Sequence, residues 1–315
     1  VARRAAAAPE GAMTLAALAL VLQLGGPSPE TARDALQRGW MLAGAGRFRE
    51  AERLFRSALR ADPGAASAAL GLGVALAGLE RDPEAIAAFA EAVRLQPGFA
   101  EAHYNLGTAL QRAGRPVEAR AALARAVALK PSFAPAHFNL ALVLAGLGHY
   151  RQAIAAFEET LRRQPDHADA LSGLGRTLAN VDRWEEALPP LRRAAALRPA
   201  DAGLQAALGQ ACARGGRLEE AADALARAVA LAPRDDEARF QLALVQIDRG
   251  RNADAVAALR EVLRARPRHA AARYNLGLTL LAAGDAEAAR AELRALEEID
   301  PNLALQLRLR VEPPP

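Results

Sequence analysis

Five histidines, one cysteine and a short glycine run are the residues of this 315-residue chain from which chemistry would have to be built. His103 and His137 occupy equivalent places in successive segments, so they could stand on neighbouring helical turns and offer two imidazoles to a metal ion. A zinc site needs three or four ligands, and no third His, Cys or carboxylate recurs in register with the pair, so no metal is expected. Cys212 has no second cysteine to join and sits where most equivalent segments carry Leu, which reads as a small buried hydrophobe. Gly71, Gly73 and Gly78 look superficially like a phosphate loop, but they fall within a helical pattern and read as packing positions. His149, His167 and His269 lie at turns and read as solvated. The sequence contains no G-x-x-x-x-G-K-[ST], H-E-x-x-H, G-x-S-x-G or C-x-x-C. Neither catalysis nor a cofactor is expected.

The elements that carry these residues are legible from composition and period. The chain holds 82 Ala and only 13 aromatic residues, with 24% charged residues and a net charge of +4. That excludes disorder driven by charge, and it favours helices because Ala loses no side-chain entropy in one. Methyl groups in such excess cannot fill a wide globular core, whereas thin layers of close helices can be built from them. Pro63, Pro97, Pro131, Pro165, Pro199, Pro233, Pro267 and Pro301 stand 34 residues apart. With the proline as position 32, eight units fill residues 32–303 without insertion.

Position 20 is Ala in all eight units, position 7 is Leu in seven with Arg38 the exception, and position 8 is always Gly or Ala. Both halves of each unit show apolar residues at i, i+3, i+4 and i+7, as in Leu106, Leu110 and then Ala119, Leu123, Ala126. Each unit therefore reads as two helices. Position 15 separates them and is Gly in six units. The small residues at positions 8 and 20 mark where the two helices cross at close range.

This pattern, with Phe or Leu at position 24 and Pro at 32, resembles the tetratricopeptide repeat (TPR) family over 272 of the 315 residues. The resemblance implies an all-α TPR solenoid of eight helix-turn-helix units in a right-handed superhelix. It also implies that positions 2, 5, 6, 9 and 12 face a concave groove. The groove would then carry Trp40, Tyr104, Asn105, Phe138, Asn139, Arg176, Phe240, Gln241, Tyr274 and Asn275. Amides donate and accept, so a row of them can bond an extended peptide backbone while rings add apolar contact. The alternative is that the rings fill space between helices and the amides brace neighbouring turns. The two-cation clamp of co-chaperone members does not fit, because the only lysine, Lys130, lies beside a turn at position 31. Position 4, often bulky in the family, is here Ala35, Ala69, His103, His137, Leu171, Gln205, Arg239 and Arg273.

At the ends, residues 304–315 read as a capping helix followed by a proline-rich tail, although Leu303, Leu305, Leu307 and Leu309 alternate as a strand would. Residues 1–31 place Arg3 and Arg4 before an uncharged stretch at 11–26, which resembles a secretory signal or anchor and is the only candidate for membrane contact. A degenerate half-repeat is the competing reading, since Pro29 falls on the same 34-residue grid. The arginines alternate with acids, as in Arg183, Glu185, Glu186, Arg192 and Arg193, and the densest cluster, Arg260, Arg264, Arg266 and Arg268, is local to one helix end. Nucleic acid is therefore not the expected partner. Arg in place of Lys, with abundant Ala and Gly, reads as the codon bias of a GC-rich genome, and so as bacterial. The expectation is a non-enzymatic scaffold that binds a protein or an extended peptide. Its alternatives are an exported or membrane-anchored envelope assembly factor, serving secretion, pilus or cell-wall machinery, and the substrate-recruiting subunit of an enzyme on another chain. Periplasmic or anchored placement is expected from the front segment, with the cytoplasm as the alternative.

Overall fold

The computed structural model describes residues 32–312. The signal-like or half-repeat segment 1–31 and the end of the proline-rich tail, 313–315, lie outside the described residues. Among the described residues there are seventeen helices and no strand. The chain divides into two compact units, Val1–Glu159 and Thr160–Pro315.

The first unit holds α1 (Ala32–Gly44), α2 (Phe48–Ala61), α3 (Ala66–Gly78), α4 (Asp82–Leu95), α5 (Ala100–Arg112), α6 (Pro116–Leu129) and α7 (Ala134–Gly146). Helix α8 (Tyr150–Arg163) contains the point of division. The second unit holds α9 (Ala168–Ala179), α10 (Trp184–Leu197), α11 (Ala202–Arg214), α12 (Leu218–Leu231), α13 (Asp236–Asp248), α14 (Asn252–Ala265), α15 (Ala270–Ala282), α16 (Ala286–Glu297) and α17 (Pro301–Val311). Odd-numbered helices up to α15 are the first helices of the repeats and even-numbered ones the second. Within each unit successive helices pack on one another, and each first helix also touches the first helix of the next repeat. In the second unit α17 packs on both α15 and α16. The leucines that alternate along 303–309 are thus helical.

Side-chain size sets this spacing. Ala51, Ala85, Ala119, Ala153, Ala187, Ala221, Ala255 and Ala289, all at position 20, have no exposed surface. At Gly107 an added Cβ would stand 2.6 Å from Leu123 Cγ and 3.1 Å from the Ala119 carbonyl oxygen. Gly175 faces Leu191 and the Ala187 carbonyl in the same way, and Gly209 faces Leu225 and the Ala221 carbonyl. The position-8 residue of these repeats therefore meets both the position-20 backbone and the position-24 side chain of its own repeat. Gly39 and Gly73 receive the rings of Phe55 and Phe89 instead. Gly71 and Gly78 leave room for Phe55 and Phe48, which gives the glycine run its physical purpose. In the last repeat Gly277 takes Leu307 from α17, where the other position-8 glycines meet the position-24 side chain of their own repeat.

Backbone conformation ends the helices. Position 15 is left-handed throughout, with φ of 71° to 87° at Gly46, Gly114, Gly148, Gly216, Gly250 and Gly284. Glu80 and Asp182 hold the same position at φ 59°, where a Cβ is crowded by the following carbonyl. The residue before each first helix differs between the units. In the first it is Ala65, Phe99 and Phe133, none of which caps through its side chain. In the second His167, Asp201, Asp235 and His269 each accept a backbone N–H of the first helical turn. His167 and His269 are half-buried capping residues, which corrects the expectation that they are merely solvated. Helix α10 also runs through Pro189 and Pro190, which withhold two backbone donors from its interior.

Candidate functional site

Five of the eight position-4 residues bond the backbone of the loop before their helix. His103 Nε2 lies 3.0 Å from the Pro97 carbonyl oxygen and His137 Nε2 lies 3.0 Å from that of Pro131. With a carbonyl as partner, Nε2 carries the proton and donates. Gln205 Nε2 donates to the Pro199 carbonyl at 3.3 Å, Arg239 Nη2 to Pro233 at 2.5 Å, and Arg273 Nε and Nη2 to Pro267 at 3.0 and 2.8 Å. Five polar side chains of three types thus fasten first helices to the proline loops that precede them. This accounts for the two histidines considered as metal ligands, and no cluster of three metal-ligating side chains occurs among the described residues.

The groove positions divide by burial. Trp40 is 9% exposed and meets Phe55 edge-on with ring centroids 5.3 Å apart. Phe240 is 8% exposed and lies against the His269 ring at 4.9 Å. Both rings belong to the core and present little surface. Tyr104, Phe138 and Tyr274 are half-buried. Tyr104 packs on Phe133 at 4.9 Å, and Lys130 Nζ sits 5.0 Å from the Phe133 ring centre while pairing with Glu101 at 2.7 Å. Burial pushes the Tyr104 phenol above its ordinary pKa, against the opposing pull of hydrogen bonding with Thr108 and Asn139. Phe138 approaches Phe157 at 6.2 Å in a T-shaped pair.

The amides are all half-buried and all anchored. Asn105 Nδ2 donates to the Glu101 carbonyl at 2.7 Å, and Asn275 Nδ2 donates to the Ala271 carbonyl at 2.8 Å. Asn139 Nδ2 donates across to Thr108 Oγ1 at 3.0 Å, and Gln241 Nε2 donates to Glu237 Oε1 at 2.9 Å. Each amide therefore braces its own or an adjacent first helix. A side-chain amide has two N–H donors and a carbonyl oxygen with two lone pairs, so these internal bonds leave further capacity on each, least on Asn139, which also bonds Tyr104. Arg176 is exposed, and its Nη2 donates to the Gly203 carbonyl at 3.1 Å. The first unit thus brings together Tyr104, Asn105, Phe138 and Asn139, and the second brings together Gln241, Tyr274 and Asn275 on successive first helices. Leu142, at position 9 in the first unit, is 37% exposed, a surface role that residue type does not mark because Leu is also the ordinary core residue here.

Cys212 has no exposed surface, and burial, reinforced by the negative charge of Glu220, pushes its thiol up to about 12. A protonated thiol sealed in a helix interface is a packing group.

Comparison with known proteins agrees with this architecture. A tetratricopeptide repeat profile matches residues 36–99, 83–134, 138–202 and 240–304, and a second profile of the same description matches 202–245. No curated protein matches the chain at a significant level. Among solved structures, the chain is similar to YrrB, described as a TPR protein with an unusual peptide-binding site, at 24% identity and a TM-score of 0.55. That match covers 58% of this chain and 95% of YrrB. It is similar to MamA of Desulfovibrio magneticus RS-1 at 25% identity and a TM-score of 0.52, covering 54% and 96% of the two chains. The Cut9–Hcn1 hetero-tetramer of the APC/C aligns at 19% identity and a TM-score of 0.54, covering 93% of this chain and 58% of that one. With eight matching units of helix, left-handed turn, helix and proline, the chain belongs to the tetratricopeptide repeat family.

Proposed function

We propose that the chain is a non-enzymatic interaction scaffold whose first helices bind an extended peptide. The observation that carries this reading is the anchoring of the amides. In the first unit Asn105 and Asn139 are fixed by internal bonds, Asn139 to both Thr108 and Tyr104, beside the half-buried rings of Tyr104 and Phe138. In the second unit Gln241 and Asn275 are fixed likewise beside Tyr274. A side chain already held in place loses little entropy when a ligand arrives, and its remaining N–H and oxygen can meet the alternating groups of a peptide backbone. Similarity to YrrB, itself described as having a peptide-binding site, agrees with the reading.

The test is a displayed peptide library panned against the full chain, followed by titration of selected peptides. Asn105→Ala combined with Asn139→Ala is expected to weaken binding about tenfold, as the loss of two hydrogen bonds of about 0.5–1.5 kcal/mol each implies. The helical signal of the variant should be unchanged. Equal affinity for the variant rejects the amide role.

Placement outside the cytoplasm is a separate proposal, resting on the composition of residues 11–26 alone. No helix among the described residues is long and apolar enough to cross a membrane. Sequencing the N-terminus of the protein from its host decides this proposal, and a mature chain that begins between Pro27 and Ala32 supports export.

A further inference from the structure

A second surface lies on α2, away from the first-helix amides, and it does not depend on the peptide reading above. Arg49, Arg53, Arg56 and Arg60 follow one another at steps of four, three and four residues, the spacing that keeps side chains on one face of a helix. All four are exposed. A cavity of about 340 Å³ opens beside them, lined by Arg49, Glu52, Arg53, Arg56, Leu79 and Arg81. Four guanidinium groups therefore surround a single carboxylate. That carboxylate, on a residue only 7% exposed, is already engaged, by Arg56 at 2.5 Å and by Arg81 at 2.8 Å. Arg49, Arg53 and Arg60 make no ion pair among the described residues. Elsewhere in the unit, comparable cations are met by a carboxylate about one period away, as in Arg112 with Asp82 and Lys130 with Glu101.

We propose that this arginine face is a docking surface for an acidic peptide segment of a partner protein, one presenting several carboxylates in succession. The guanidinium fork matches a carboxylate through two parallel N–H donors. The same unit already shows that geometry in Arg47 with Glu50, at 2.6 and 2.5 Å, and in Arg115 with Glu118, at 2.7 and 2.7 Å. From Arg49 to Arg60 the helix rises about 16 Å, the length of about five extended residues. Glu50 and Glu84, each paired with an arginine, border the face and break its positive charge into separate sites, where a continuous run of phosphates wants an unbroken basic stripe. A short peptide can set its acidic side chains between them.

The experiment titrates the full chain with a fluorescein-labelled hexaglutamate peptide near physiological salt, with a 20-nucleotide single strand and inorganic phosphate as competing probes. Saturable peptide binding is expected, weakening as salt shortens the range of the charges. Arg49→Glu with Arg53→Glu should weaken it at least fivefold, and Arg49→Gln with Arg53→Gln should weaken it in the same direction with the fold undisturbed. Arg260→Glu with Arg268→Glu, in the other unit, should leave it unchanged. Equal losses from the Arg260 and Arg268 changes would reduce the effect to general attraction and overturn the proposal. Tighter binding of the oligonucleotide, lost with the same Arg49 and Arg53 substitutions, would overturn it in favour of nucleic acid. Absence of saturable peptide binding, or displacement by phosphate alone at equal concentration, would also overturn it.

Discussion

At Gly107 a hydrogen atom stands where Leu123 and the Ala119 carbonyl leave no room for a methyl group. Adding a methyl there must push two helices apart or force Leu123 from its rotamer, and overpacking of this kind costs about 1–3 kcal/mol. Gly107→Ala is therefore expected to lower stability by about that amount in urea unfolding. An unchanged midpoint would remove the argument that this crossing sets the helix spacing. The fourth repeat carries Ala141 at the same position, fully buried. At this scale the sequence was readable where a position recurs. Gly or Ala at position 8 and Ala at position 20 announced a close crossing, and Cys212 in a leucine slot announced a buried thiol. It was not readable where a partner lies across a loop. His103 and His137 looked like ligands because their shared acceptor, a backbone carbonyl six residues upstream, is present in every sequence and so carries no signal. The same holds for Asn105 and Asn275, whose bonds to carbonyls four residues back leave no trace in residue type.

The helix pair is set by the turn at position 15 as much as by its apolar faces. Six repeats place Gly there, and the two that do not hold Glu80 and Asp182 in the left-handed region at φ 59°. Glu80 is the less favourable of the two, because Asp tolerates this conformation through short-range bonding whereas Glu does not. Glu80→Gly is expected to raise stability by about 0.5–1 kcal/mol, the left-handed penalty less the entropy that Gly loses on folding. Thermal melts of Glu80→Gly and Asp182→Gly side by side test this, and a loss of stability in Glu80→Gly contradicts it. The second unit contains a larger local conflict in α10, where Pro189 and Pro190 interrupt the ladder of backbone bonds. The helix persists because Ala187, Leu188 and Leu191 on its inner face are sealed against neighbours. Propensity alone reads that stretch as a helix end; periodicity reads it correctly.

Each unit is held by contacts between near neighbours in the chain, so folding energy is expected to accumulate repeat by repeat. Removal of residues 100–133 would join Phe99 to Ala134, reproducing the Phe133–Ala134 junction that already precedes α7. The shortened chain is expected to remain helical in proportion to its length and to unfold cooperatively at a lower temperature. A molten or aggregated product would show that the deleted repeat does more than transmit its neighbours' packing. The repeats also use their charges locally, with pairs such as Arg192–Glu220 at 2.6 Å and Arg217–Glu185 at 2.9 Å joining successive repeats. Such exposed pairs add little stability, but they set successive repeats against their proper partners and disfavour a slipped register.

The constant period has an evolutionary consequence. Because the repeat prolines from Pro63 to Pro301 fall at equal intervals with no insertion, unequal crossing-over at any of these junctions yields a protein lengthened or shortened by a whole number of modules. Copy number can therefore drift among descendants without a frame of misfit intermediates, and the span of surface offered to partners can change in a single genetic event.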